Sequence, residues 1–249
     1  MTDEQPLSGG NASAFVVRIG ETVRKPWSET TGKVHRFLHD LGSAGVDVPR
    51  AGGPDDEGRQ VLEYVDGTQA IDRGQLDLEE LRRAGGIIRA IHDSSPPCTP
   101  ADVESWPVLI PAPKQELICH NDLAPWNLII GDRWAFVDWD GAGPSSRMWD
   151  LAYAAQSFAG LWEGEDPVTA GVRLRAFVDG YGASPDQRQQ LPEMIVRRVQ
   201  AMSALLRDAH ATGFQPWARM YEEGHGDHWK ATTDYAGRHI ATWRKAMAR

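Results

Sequence analysis

From Ile118 to Asp150 the chain reads ICHNDLAPWNLIIGDRWAFVDWDGAGPSSRMWD, a stretch dense in side-chain oxygens at suggestive intervals. Leu128-Ile129-Ile130 and Trp134-Ala135-Phe136-Val137 are apolar runs separated by Gly131-Asp132-Arg133, the pattern of a β-hairpin. Pairing Ile130 with Ala135 sets Asn127 directly across from Asp138, with the two side chains roughly 5 Å apart. An amide oxygen and a carboxylate so placed suit a hard cation such as Mg²⁺, with Asp140 a further candidate ligand. Asp122, five residues before Asn127, sits on the loop that enters the hairpin. Three oxygen-bearing side chains thus converge where a metal-bound phosphate could meet a nucleophile, and Asp122 would accept the proton of that nucleophile. His120 belongs to the same catalytic segment and would tie its loop to the strand bearing Asp138. Asp150 would cap the helix that follows or fasten the loop beneath it.

The elements that must position these groups are legible in outline. Ser8-Gly9-Gly10-Asn11-Ala12-Ser13 is a glycine-rich turn before Phe15-Val16-Val17-Arg18-Ile19, and Thr22-Val23-Arg24-Lys25 returns after Gly20-Glu21. Backbone N–H groups at Gly9 and Gly10 could lie on phosphates. Arg24 or Lys25 would be the cation reaching them; strand alternation puts the two on opposite faces, so one alone can. Val34, Phe37, Leu38 and Leu41 follow at helical spacing, with Ser28 as cap and Gly42 as stop. The backbone of Glu63-Tyr64-Val65 would face a nucleotide base. Six prolines from Pro96 to Pro113 mark an irregular connector. Beyond Asp150 the pattern is helical, with Ser184-Pro185 a helix start and further helices over Leu191–His210 and Trp229–Ala248.

His120-x-Asp122-x4-Asn127, then a hydrophobic strand and Asp138, follows the order of catalytic and metal loops in protein kinases. CHNDLAPWN resembles the H-G-D-x4-N loop of aminoglycoside phosphotransferase and choline-kinase-like enzymes, and FVDWD resembles their metal loop. Trp149-Asp150-Leu151-Ala152 is similar to their D-L-A helix start, Val61–Gly67 to their inter-lobe strand and hinge, and Ile88–Asp93 to their L-H-D helix end. The resemblance runs from about Leu7 to Ala155. It implies an α+β, two-lobed protein-kinase-like fold: a small antiparallel-sheet lobe over residues 1–65 and a larger, mainly helical lobe over 66–249. It implies transfer of the γ-phosphate of ATP or GTP to a hydroxyl of a small molecule, such as an antibiotic, amino alcohol or sugar, with Mg²⁺. The nucleotide would meet Arg24 or Lys25, Gly9, Gly10, Glu63 and Val65, and the metal Asn127, Asp138 and Asp140. Two departures stand out. Asn121 replaces the usual glycine, a position needing unusual backbone angles that Asn tolerates. The first helix lacks a glutamate for the phosphate-binding base; Lys33 or His35 falls where it would be.

A net charge of −9 argues against nucleic acid or an anionic membrane as partner. The first residues lack the apolar core of a signal peptide, and no run approaches the ~20 apolar residues of a membrane span. Two cysteines, Cys98 and Cys119, fit a reducing cytoplasm. Two rivals compete: a nucleotide-binding module without catalysis, favoured by the missing helix glutamate, and a metal-dependent phosphoesterase. The second would want more dispersed His and Asp ligands than this chain offers.

Overall fold

The computed structural model describes residues 4–7 and 15–248. The turn containing Gly9 and Gly10, expected to contact phosphates, lies outside them.

A five-stranded antiparallel sheet in the order β1-β2-β3-β5-β4 forms the small lobe: β1 (Gln5–Pro6), β2 (Val17–Ile19), β3 (Thr22–Lys25), β4 (Ala51–Pro54) and β5 (Gln60–Glu63). Helix α1 (Thr31–Ser43) crosses between β3 and β4 and buries Val34, Phe37, Leu38 and Leu41, the stripe its spacing predicts. Its ends differ from expectation. Thr30 occupies the N-cap without a side-chain bond, while Ser28 stands two residues earlier and donates its N–H to Thr31 Oγ1. Gly42 stays helical because the final turn closes on Ala44, whose N–H reaches the Asp40 and Leu41 carbonyls.

The rest is mainly helical. After β6 (Thr68–Gln69) come α2 (Leu78–Ser94) and the short α3 (Pro100–Ser105) in the proline-rich connector. Strands β7 (Leu117–Cys119), β8 (Leu128–Ile130), β9 (Trp134–Phe136) and β10 (Gly143–Ser145) follow, with β6-β8-β9 forming one small sheet and β7-β10 another. Then come α4 (Arg147–Ala159), α5 (Pro167–Tyr181), α6 (Pro185–Thr212), α7 (Trp217–Met220), α8 (Gly226–Arg238) and α9 (Ile240–Met247). Ser184 and Gln187 close a reciprocal capping box at the start of α6, as the Ser-Pro pair predicts.

The helical core rests on α2 against α5, whose backbones meet through glycines. A methyl group on Gly180 would stand 2.0 Å from the Arg82 carbonyl oxygen, and one on Gly85 2.2 Å from that of Phe177. This close approach fixes the end of α2, and with it His92, beneath the loop that carries Asp122.

Candidate active site

The hairpin forms, one residue out of the expected register. Ile130 pairs with Trp134, Ile129 with Ala135 and Leu128 with Phe136, because Gly131-Asp132-Arg133 closes a three-residue loop. Asn127 therefore faces Val137, whose N–H donates to the Asn127 carbonyl at 2.8 Å, and Asp138 lies one residue past the ladder. It adopts φ 60° and ψ 58°, a left-handed conformation that takes it out of the strand path.

Asn127, buried on the turn before β8, donates Nδ2 to an Asp122 carboxylate oxygen at 2.8 Å and to the Asp122 carbonyl at 2.9 Å. Its Oδ1 is left for another partner. Burial pushes the Asp122 carboxyl above the usual carboxylate range, against the opposing effect of the hydrogen bond from Asn127.

Lys25 settles which strand-end cation faces this site. Its Nζ sits 2.5 Å from Asp138 Oδ1 and 2.6 Å from Asp140 Oδ2, with the side chain only 7% exposed. Burial alone would lower its pKa, but the two carboxylates hold it above the ordinary lysine value. Arg24, on the opposite face, is taken by Asp55 at 3.1 Å and does not reach the cluster. The glutamate missing from α1 has a substitute route. Gln60, buried on β5, donates to Asp140 at 3.3 Å while its Oε1 meets His35 Nε2 on α1 at 3.3 Å. His35 and Gln60 thus link α1 to Asp140, and Asp138 and Asp140 supply the partners of Lys25.

His120 is fully buried and acts on the site from behind it. Nε2 meets the Val137 carbonyl at 3.1 Å and Nδ1 accepts from Asp122 N–H at 3.3 Å, so the ring is the Nε2–H tautomer tying both loops together. Trp139 packs on it at 4.4 Å between centroids. A catalytic proton transfer by His120 itself has no geometric support, since both nitrogens serve backbone groups and the ring is not among the cavity-lining residues. Asn121 adopts φ 66°, the angle anticipated for that position, and its amide nitrogen donates to the Gly141 carbonyl at 3.1 Å. Asp150 proves to be the loop's fastener: Oδ1 accepts Asn121 N–H at 3.0 Å and Oδ2 meets His92 Nε2 at 3.1 Å. Ser146 caps α4 instead.

At the edge between the lobes, Val65, Ile129 and Ala135 form a small buried apolar cluster with Val137 against it. The N–H groups of Glu63 and Tyr64 are already bonded to the Arg50 and Glu21 carbonyls. The Glu63 carboxylate is taken by Arg133 at 2.9 Å and Arg50 at 3.4 Å. Among the described residues, Val65 N–H has no such partner, so of the proposed base contacts it is the one with a free donor.

Asp122, Asn127, Asp138 and Asp140 open onto one cavity of about 1150 Å³ that extends between the proline-rich connector and α6–α8. Trp126, Tyr153, Trp217 and Trp229 supply aromatic walls. Tyr153 and Arg198 were missed altogether. Arg198 did leave a signal: it falls on the α6 stripe of Leu191, Ile195, Met202 and Leu206, an arginine at an apolar position.

Residues 103–191 match the sequence model of the phosphotransferase enzyme family, a span that includes both candidate loops. Over nearly the whole chain the structure superposes on a choline/ethanolamine kinase family protein from Mesorhizobium loti, with TM-score 0.60 and 19% identity over 98% of this chain and 92% of that one. The fold is that of the small-molecule kinases. This kinase-like fold is also similar to an amicoumacin kinase in complex with AMP-PNP, Ca²⁺ and Ami (TM-score 0.63, 12% identity, 98% of this chain and 87% of that one). A spectinomycin phosphotransferase with ADP and spectinomycin superposes with TM-score 0.57 and 15% identity, over 97% and 93% of the two chains. In sequence, a trifolitoxin immunity protein from Rhizobium leguminosarum bv. trifolii is 29% identical over 203 residues, 76% of this chain and 77% of that protein.

Proposed function

We propose that this protein transfers the γ-phosphoryl group of ATP or GTP to a hydroxyl of a small molecule. The observation that carries the reading is the meeting of Lys25, Asp138 and Asp140 beside the Asp122–Asn127 pair on a shared cavity wall. In this reading the nucleotide lies between the lobes, which divide at residues 65 and 66, with its base against Val65, Ile129 and Val137. Lys25 leaves its carboxylates in part to hold triphosphate oxygens. The Asp122 carboxylate accepts the proton of the acceptor hydroxyl as that oxygen bonds to the γ-phosphorus, the bond to the β–γ bridging oxygen breaks, and the nucleoside diphosphate departs.

The donor set fits Mg²⁺: two carboxylates and an amide oxygen left free by the orientation of Asn127 are hard ligands. Bound by Asn127, Asp138 and Asp140, the ion would neutralise charge on the triphosphate. His120 and Asp150 act through the backbone, holding Asp138 and the Asp122 loop in place.

Among the described residues no helix is long and apolar enough to cross a membrane. The cavity exceeds what a two-carbon amino alcohol would fill, and the likeness to an immunity protein, an amicoumacin kinase and a spectinomycin phosphotransferase supports including antibiotics among the acceptors to try. Incubation with Mg²⁺, ATP or GTP and a library of antibiotics, amino alcohols and sugars, read by mass spectrometry, is expected to give an acceptor gaining one phosphoryl group. Nucleotide binding without any phosphorylated product would instead support a non-catalytic module. Phosphate release from simple esters without nucleotide would support a phosphoesterase.

A further inference from the structure

Stripping water from a guanidinium is costly unless an anion replaces it, so buried arginines are normally paired. Arg198 on α6 is 3% exposed, and no carboxylate pairs with it among the described residues. Its Nη1 is buried without a hydrogen-bond partner, and its Nη2 reaches the Asn121 carbonyl only at 3.5 Å. The charge rests instead on ring faces, 4.4 Å from the Tyr153 centroid and 5.6 Å from that of Trp149. Arg198 nevertheless lines the same cavity as Asp122, one turn ahead of Met202 and two ahead of Leu206 on the cavity wall. The acceptor side of the cavity therefore presents an apolar surface that ends in a cation with no carboxylate at ion-pair distance among the described residues, Asp122 and Asp150 acting on it only across space.

We propose that Arg198 recognises an anionic group on the acceptor, and that the acceptor is a hydroxyl compound carrying a carboxylate next to an apolar body. This rests on the phosphotransferase reading given above. The guanidinium fork suits a carboxylate's two oxygens, and an amine placed there would meet a buried like charge. The acidic groups elsewhere on the cavity do not cancel this preference. Asp122 is held by Asn127 Nδ2 and makes no direct pair with Arg198, Asp138 and Asp140 are neutralised by Lys25 or by the metal, and Glu223 faces Arg219 at 3.6 Å. Lys25 stands on the triphosphate side, whereas Arg198 shares its helix face with apolar wall residues, which points it to the acceptor rather than to the phosphates.

Three probes that share a body and a hydroxyl test this: 3-phenyllactate, 3-phenyllactamide and 1-amino-3-phenylpropan-2-ol, titrated calorimetrically into the full chain with and without Mg²⁺–AMP-PNP. The expected result is binding of the acid at least about tenfold tighter than the amide, with the amine weakest. Arg198→Gln should abolish the difference, and Arg198→Lys should keep part of it. Equal binding of the three, preference for the amine, or no binding by any of them overturns the proposal. So does a uniform loss of all three in Arg198→Gln, the mark of a merely structural side chain. If Arg198→Gln instead weakens Mg²⁺–AMP-PNP while sparing the acid, the guanidinium serves the phosphates. Turnover of a cationic acceptor that Arg198→Gln leaves intact would sink this inference and keep the kinase; failure to bind any nucleoside triphosphate would sink the kinase. Circular dichroism melting of each variant separates misfolding from lost recognition.

Discussion

Asp122→Asn is expected to lower acceptor-dependent turnover by about 10²–10⁴-fold, the range that a positioned general base contributes, while nucleotide affinity stays nearly unchanged. The substitution keeps the size of the side chain and an oxygen able to accept from Asn127 Nδ2, so the loop stays closed. It removes the group able to take the hydroxyl proton. Burial that pushes the Asp122 carboxyl up makes it a stronger base than a solvated aspartate, without any contact between Asp122 and Lys25 among the described residues. Steady-state kinetics with the acceptor found by mass spectrometry, alongside titration of a fluorescent nucleotide, separates the two effects. Turnover equal to the parent enzyme's would remove Asp122 from its role.

Asp138→Ala is expected to act on the other half of the reaction. Loss of a direct metal ligand should weaken Mg²⁺-dependent nucleotide binding by more than the roughly 10–100-fold that loss of an outer hydrogen-bond partner costs a metal site. The substitution also leaves the buried Lys25 with Asp140 as its remaining carboxylate, so part of the loss should persist in EDTA. Nucleotide titrations across a Mg²⁺ series read both contributions. A Mg²⁺ dependence identical to the parent's would count against Asp138 as ligand. These two substitutions should separate cleanly, since Asp122 touches Asn127 while Asp138 touches Lys25.

The fold was legible because its parts announce themselves locally. The apolar stripe on α1, the Ser184 capping box and the hairpin around Gly131 each follow from a few neighbouring residues. What failed were choices that depend on distant packing or on one residue of register. A four-residue hairpin loop would have set Asn127 against Asp138; the three-residue loop sets it against Val137, and the left-handed turn at Asp138 redirects the carboxylate. Alternation showed that Arg24 and Lys25 point apart, but which face meets the metal loop depends on how the sheet lies on the helical lobe. The His35–Gln60–Asp140 chain joins a helix, a strand and the metal loop, and no spacing along one segment could reveal it. His120, by contrast, makes the tie between loop and strand that its place in the segment suggested, with both ring nitrogens serving the backbone. Arg198 shows the converse: a charge on an apolar helix stripe is visible in sequence, but its lack of a partner is not.

The most direct test of the site is a crystal structure with Mn²⁺ and AMP-PNP, with the ion located by anomalous scattering. The account predicts a peak within coordination distance of Asn127 Oδ1 and the Asp138 carboxylate, with Lys25 Nζ turned onto phosphate oxygens. Mn²⁺ bound away from both residues, or a nucleotide lying outside the cleft beside Val65, would contradict it.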